Sequence, residues 1–291
     1  MKPAPFEYLV ADSLQAALEA LAAGRGEAKI LAGGQSLMPI LNFRLARPHT
    51  LIDINRIPDL AYIRADAQVI RIGALTRHFA LETSTVLAEH LPVIPAAMAH
   101  VAHLAIRNRG TIGGSLSHAD PAAELPMLVR LLDASLTVRS ARATRQISAH
   151  DFFQSALTTC LAPDEILTEI AFPKTSPGTG WAFEEVARRE GDFALAAAAA
   201  TLTRSGDRIG TARLALMGVA DTPVRATAAE ALLAGRTLDA GLIDEAATVV
   251  QQTLEPNTDL HASADYRRHL AGHLVRRVVA TAWRRAGGAI P

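Results

Sequence analysis

A chain of 291 residues with one cysteine, Cys160, cannot close a disulfide within itself. The same shortage removes a cysteine-rich zinc site and a self-contained iron–sulfur cluster, both of which need several thiolates. Aromatic residues make up only 4% of the chain, so aliphatic side chains must fill its cores. Net charge is missing as well: 29 lysines and arginines balance 29 aspartates and glutamates. With the arginines scattered rather than striped, no global field attracts nucleic acid or an anionic membrane. No apolar run is long enough to span a bilayer, and the most continuous stretch, Ala194 to Leu202, is short and mostly alanine. The opening MKPAPFEYLV lacks the apolar core of a signal peptide, so the expectation is a cytoplasmic protein without a membrane span.

Familiar motifs are also lacking. The dinucleotide fingerprint G-x-G-x-x-G, the phosphate loop ending in Gly-Lys-Ser/Thr and the nucleophile elbow G-x-S-x-G have no match. Two glycine pairs stand in their place, in ILAGGQSLMP (Ile30 to Pro39) and in TIGGSLSHADPAAELP (Thr111 to Pro126). Each is followed by hydroxyls, Ser36 in the first and Ser115 and Ser117 in the second. Successive peptide N–H groups in glycine turns form anion-binding concavities, and the missing side chains admit a phosphate. One pair alone is more often only a turn. Two pairs on separate loops suggest two phosphates, hence a pyrophosphate clamped from both sides.

The length implies two or three domains. Asp12 or Ser13 can cap a helix carrying Leu14, Leu18 and Leu21, AKIL and TLIDI read as strands, and this small α/β unit closes near Pro58. A second unit, 59–175, opens on a hairpin around ADAQ, continues through helical segments, and includes a helix from Ala122 to Leu132 and the strands SLTVRS and EILTEIAF. PKTSPGTG, Pro173 to Gly180, is the clearest linker. The third unit, 176–291, reads as three antiparallel strands, with the alanine-rich FALAAAAATLTR assigned as the middle strand against its helix propensity, and then three helices.

The two glycine segments, with RREGDFALAAA further on, closely resemble the medium, FAD-binding subunit of molybdenum hydroxylases, the family of carbon monoxide dehydrogenase flavoproteins and xanthine dehydrogenase flavin domains. The resemblance covers nearly the whole chain, in the family's motif order. It implies an α+β protein: a PCMH/VAO-type FAD-binding domain of two α/β subdomains, plus a C-terminal domain with a three-stranded antiparallel sheet and a helical bundle. It further implies that Ala32, Gly33, Gly34, Gln35 and Ser36, with Thr111, Gly113, Gly114 and Ser115, wrap the FAD pyrophosphate through backbone N–H and hydroxyl groups. Glu124 matches an acidic cofactor-binding position, Asp120 is a weaker match on the same loop, Leu161 matches an apolar position beside the flavin ring, and Phe193 one near the isoalloxazine. Where many relatives have histidine this chain has Gln35, and around Glu184 and Glu185, where relatives often have lysine, it carries two carboxylates.

The function implied is electron transfer. Substrate is oxidised at a molybdenum cofactor on a large partner chain, electrons pass through 2Fe-2S clusters on a small partner chain to FAD here, then to an external acceptor. The expected assembly is a dimer of heterotrimers, and no side chain of this chain is assigned as catalytic. A self-sufficient FAD-dependent oxidase or reductase is the alternative, and a docking scaffold without cofactor the third reading. Beside the second glycine pair, Arg107 and Arg109 can serve phosphate charge or structure equally. His100 with His103, and His269 with His273, read as core or surface residues rather than a metal site, and Cys160 as a packed small side chain.

Overall fold

The computed structural model describes residues 2–290, which form three main sheets with helices packed between and outside them. The first sheet is parallel. The strand Glu7–Val10, which the sequence pattern does not announce because its side chains are mostly exposed, pairs with Thr50–Asp53, and that strand pairs with Ala28–Leu31. Parallel strands need crossovers, and the helices Leu14–Ala23 and Leu37–Asn42 lie in the two connections. Ser13 caps the first of these by accepting from the Ala16 N–H at 3.2 Å, while Ala17, Leu18 and Leu21 line its buried face. They meet Ile52, Ile54 and Leu60 in a small core.

The second sheet is antiparallel, five-stranded, and ordered Ile63–Ala65, Val69–Gly73, Ile166–Pro173, Ser135–Arg139, Thr144–Ser148. Its long central strand is buried on both faces except at Glu169 and Pro173, consistent with its nearly continuous apolar sequence. The helices His78–Glu82, Thr85–His90, Val93–Met98 and Glu124–Leu131 contribute Leu81, Leu87, Ile94, Met98 and Leu128 to a core shared with Ile70, Ile72 and Phe172. Each such aliphatic or aromatic side chain removed from water contributes roughly 1.5–3 kcal/mol before entropy is counted.

The third sheet holds the three expected strands, Gly180–Ala187, Ala194–Ser205 and Arg208–Met217, joined by a two-residue fourth, Val224–Arg225. The fourth escapes sequence reading because two residues carry no period. Alanine-rich Ala194–Ser205 is indeed the middle strand. Ala197 and Ala199 face the core of the second sheet, whereas Leu195, Ala196, Ala198 and Ala200 face the core beneath the helix Ala264–Arg285. A central strand covered on both faces needs small side chains where backbones approach, and that packing overrides alanine's helix preference. The helices Thr227–Leu233 and Ala240–Thr253 complete the C-terminal layer. Among the described residues no helix is long and apolar enough to cross a membrane.

Candidate functional site

The strand Ala28–Leu31 delivers the chain to the first glycine pair. Gly34 adopts φ +73°, a left-handed conformation that strains any residue with a Cβ. The Gln35 side-chain amide donates back to the Gly33 carbonyl at 2.9 Å, pinning the turn, and the Met38 N–H bonds the Gly34 carbonyl at 3.0 Å as the helix Leu37–Asn42 begins. The backbone N–H groups of Gly34, Gln35 and Ser36 meet no acceptor among the described residues. Three unpartnered donors in sequence around one left-handed residue make a cradle for an anion.

The second glycine pair differs from its sequence reading. Gly113 and Gly114 lie not in a loop but in the first turn of the helix Ile112–His118, capped by Thr111, whose hydroxyl accepts from the Gly114 N–H at 3.1 Å. The other N–H groups are also taken. Ile112 donates to Thr76 O at 3.0 Å, Gly113 to Ala74 O at 2.8 Å and Ser115 to Thr111 O at 3.0 Å. A Cβ on Gly113 would lie 2.6 Å from Ala74 Cβ, so this glycine answers a protein neighbour. The peptide N–H donors from Ile112 to Ser115 are therefore spent on the protein itself, and the hydroxyls of Ser115 and Ser117 have no hydrogen-bond partner among the described residues.

The two segments nevertheless come together. A Cβ on Gly33 would overlap the Arg109 carbonyl oxygen and lie 2.8 Å from Gly110 Cα, while a Cβ on Gly114 would stand 4.0 Å from Ala32 Cβ. A polar strut spans the junction. The Asn55 amide donates to Ala32 O at 2.8 Å and to Asp53 Oδ1 at 2.6 Å, and Asn55 Oδ1 accepts from the Arg77 guanidinium at 2.7 Å. Arg77 also donates to the Arg109 carbonyl. Burial raises the Asp53 pKa, but hydrogen bonds from the Tyr8 hydroxyl and Asn55, with the Arg109 charge, hold it below the usual carboxylate range. Sequence reading misses Tyr8, Asp53, Asn55 and Arg77. The one available signal was the polar Asp53 and Asn55 at the end of an apolar strand.

Further along, Asp120 accepts from the Ala122 N–H at 2.9 Å and lines a cavity of about 730 Å³, together with Phe193, Ala156, Arg188 and Arg267. Phe193 is 66% exposed at this cavity. Leu161 is half-buried against the core of the second sheet, next to Cys160. Glu124 opens the helix Glu124–Leu131 and is buried. Burial drives its pKa up to about 8; Glu185 and Asp120 push the same way, against its own helix-start N–H and His100. Glu185 is the second buried carboxylate. Its Oε1 lies 3.4 Å from His100 Nδ1, its Oε2 has no partner among the described residues, and it holds the His100 pKa above the usual value. The two adjacent carboxylates thus separate: Glu184 pairs with Arg277 on the long C-terminal helix, and Glu185 turns inward.

Arg107 is committed to structure, bonded to Glu82 at 2.8 Å and to the Val101 and Ala102 carbonyls at 2.9 and 3.0 Å. Arg109 is exposed and forms no ion pair or side-chain hydrogen bond among the described residues. His100 and His103 fall after the helix Val93–Met98 rather than on one helix face. His103 packs where a Cβ on Gly191 would come within 2.8 Å.

The arrangement fits the pyrophosphate of a dinucleotide: an unsatisfied N–H cradle, a neighbouring helix that carries free hydroxyls and one uncommitted arginine. Fold and cradle together define a protein of the FAD-binding oxidoreductase class. Residues 4–175 match the family model for the FAD binding domain in molybdopterin dehydrogenase, and residues 181–282 that for the CO dehydrogenase flavoprotein C-terminal domain; the chain belongs to this flavoprotein family. It is 46% identical to the 6-hydroxypseudooxynicotine dehydrogenase complex subunit alpha of Paenarthrobacter nicotinovorans, over 98% of this chain and 97% of that one. Among solved structures, a carbon monoxide dehydrogenase from Hydrogenophaga pseudoflava superposes with TM-score 0.96 at 38% identity, covering 98% of this chain and 99% of the other. Quinoline 2-oxidoreductase from Pseudomonas putida 86 superposes with TM-score 0.94 at 40% identity, again covering 98% and 99%.

Proposed function

We propose that this chain is the FAD-carrying electron-transfer subunit of a molybdenum hydroxylase. The observation that supports this best is the cradle of three acceptor-free N–H groups at Gly34, Gln35 and Ser36, set in a chain that matches the flavoprotein family from residue 4 to residue 282. In this reading the first segment holds the pyrophosphate through peptide donors. The helix that begins at Ile112 offers Ser115 and Ser117 from the opposite side, and Arg109 contributes positive charge. Asp120, Glu124, Leu161 and Phe193 surround the rest of the cofactor, with the carboxyl of Glu124 protonated at neutral pH and so able to donate a hydrogen bond. Bound FAD supplies the exchange between one-electron donors and a one- or two-electron acceptor. The chain supplies position and field.

The molybdenum cofactor and 2Fe-2S clusters belong to large and small partner chains, in a dimer of heterotrimers within the cytoplasm. The division into 1–58, 59–175 and 176–291 is part of the same reading, in which the first two units face each other across the cofactor. The test is purification of the assembly through a tag on this chain, followed by a visible spectrum and identification of the released chromophore. FAD, with molybdenum and iron–sulfur chains copurifying, is the expected result. An assembly without FAD overturns the cofactor reading, and a FAD-containing chain active without partners overturns the division of labour in favour of a self-sufficient oxidase or reductase.

A further inference from the structure

We propose that Arg77 is the positioning residue that couples the two halves of the cofactor clamp, an inference that rests on the FAD reading above. The argument is geometric. Arg77 precedes the short helix His78–Glu82, and its backbone forms an isolated bridge to Thr111, the cap of the second glycine segment. Its guanidinium donates to the Arg109 carbonyl and, at 2.7 Å, to Asn55 Oδ1. Asn55 in turn donates to the Ala32 carbonyl at 2.8 Å, immediately before the first glycine pair. One side chain thus fixes the Arg109 carbonyl, against which Gly33 packs, and through one amide fixes the residue from which the N–H cradle starts.

Electrostatics give the strut a second role. Arg77 forms no ion pair among the described residues; its hydrogen bonds end on a carbonyl and a neutral amide. Burial and the neighbouring Arg109 charge both hold its pKa below the ordinary arginine value, with Asp53 acting in the opposite direction. The unfavourable influence of the Arg109 charge on Arg77, both next to the first glycine segment through the Arg109 carbonyl and Asn55, is relieved by an anion bound there. A flexible loop would lose that benefit by turning its peptide planes away. Held by Asn55 and Arg77, the three donors stay convergent before the cofactor arrives, which lowers the ordering cost of binding.

The experiment measures FAD affinity in the assembly isolated through this chain, after FAD is stripped, for Arg77→Met, Arg77→Lys and Asn55→Asp. Melting of the FAD-free assembly is followed alongside. Asn55→Asp keeps an acceptor for Arg77 but removes the donor to Ala32, and with it the donor to Asp53. Arg77→Met is expected to raise the FAD Kd at least tenfold, Arg77→Lys by less, and Asn55→Asp severalfold. The double variant Arg77→Met with Asn55→Asp should bind no more weakly than Arg77→Met alone, because the two residues act as one strut. FAD-free melting should move by only a few degrees. A Kd within twofold of the parent for Arg77→Met, or a fall in melting temperature with unchanged affinity, overturns the proposal. If Arg77→Met does not assemble, an unchanged Kd for Asn55→Asp overturns it equally. Gly34→Val separates the two levels: parental FAD affinity in that variant refutes the clamp itself, whereas lost affinity there with an unaffected Arg77→Met refutes only the strut.

Discussion

Replacing Glu124 with glutamine should make the protein more stable, and the gain should grow with pH. An unfolded glutamate ionises near 4.5, whereas buried Glu124 holds its proton up to about 8. Below pH 4.5 both states are protonated and the group contributes nothing to pH dependence. Between 4.5 and 8 the folded state binds more protons than the unfolded state, so stability falls as pH rises, by about 1.4 kcal/mol per pH unit. The accumulated cost is on the order of 3 kcal/mol at pH 7 and levels off near 5 kcal/mol above pH 8. His100 acts in the same direction. Its pKa is raised by Glu185 against the cost of burial, so its contribution is present below its unfolded value of 6.5 and is lost as pH rises through the raised one. Glutamine is isosteric, cannot ionise, and removes the Glu124 component alone. Urea denaturation of the FAD-free protein from pH 5 to pH 9 reads both slopes. The parent should lose stability steeply toward pH 8, and Glu124→Gln should lose much less. Parallel curves, or a variant less stable than the parent at pH 8, would refute the assignment of a protonated buried carboxyl.

Gly33→Ala should destabilise by about 2 kcal/mol or more, visible as a lowered melting temperature, because the added methyl meets the Arg109–Gly110 backbone rather than a yielding side chain. The neighbouring arginines should separate in one experiment. Arg107→Ala lowers melting temperature by breaking the Glu82 pair and two carbonyl bonds, while Arg109→Ala leaves melting unchanged, weakens FAD binding about tenfold and flattens its salt dependence. His78 is buried with neither ring nitrogen partnered among the described residues, and burial lowers its pKa to about 4. The unfolded chain takes up that proton near pH 6.5, so stability falls as pH drops from 6.5 toward 4, and His78→Leu should flatten that acid limb of the denaturation profile.

Much of this protein follows from local sequence. Ser13 before an i, i+3, i+4 apolar series can hardly avoid starting a helix, and TLIDI or EILTEIAF can bury their side chains only as strands. A turn at Gly33-Gly34 was legible as well, from a glycine pair between a strand and a hydroxyl, and the left-handed φ of +73° at Gly34 lies within it. Tertiary structure decided the rest, because it depends on contacts between residues distant in the chain. Gly113 has no room for a Cβ on account of Ala74, and Gly33 on account of Arg109, so the chain itself demands glycine at both positions. Thr111 caps a helix in the second segment and absorbs the N–H groups that a loop would have left free. The inward turn of Glu185 toward His100, and the meeting of Ala32, Asn55, Arg77 and Arg109, join residues far apart in the chain. Local propensity acts over a few residues, and so it set the elements and one turn. The charge states and the coupled clamp arise from burial and long-range hydrogen bonds, which exist only once the sheets have packed.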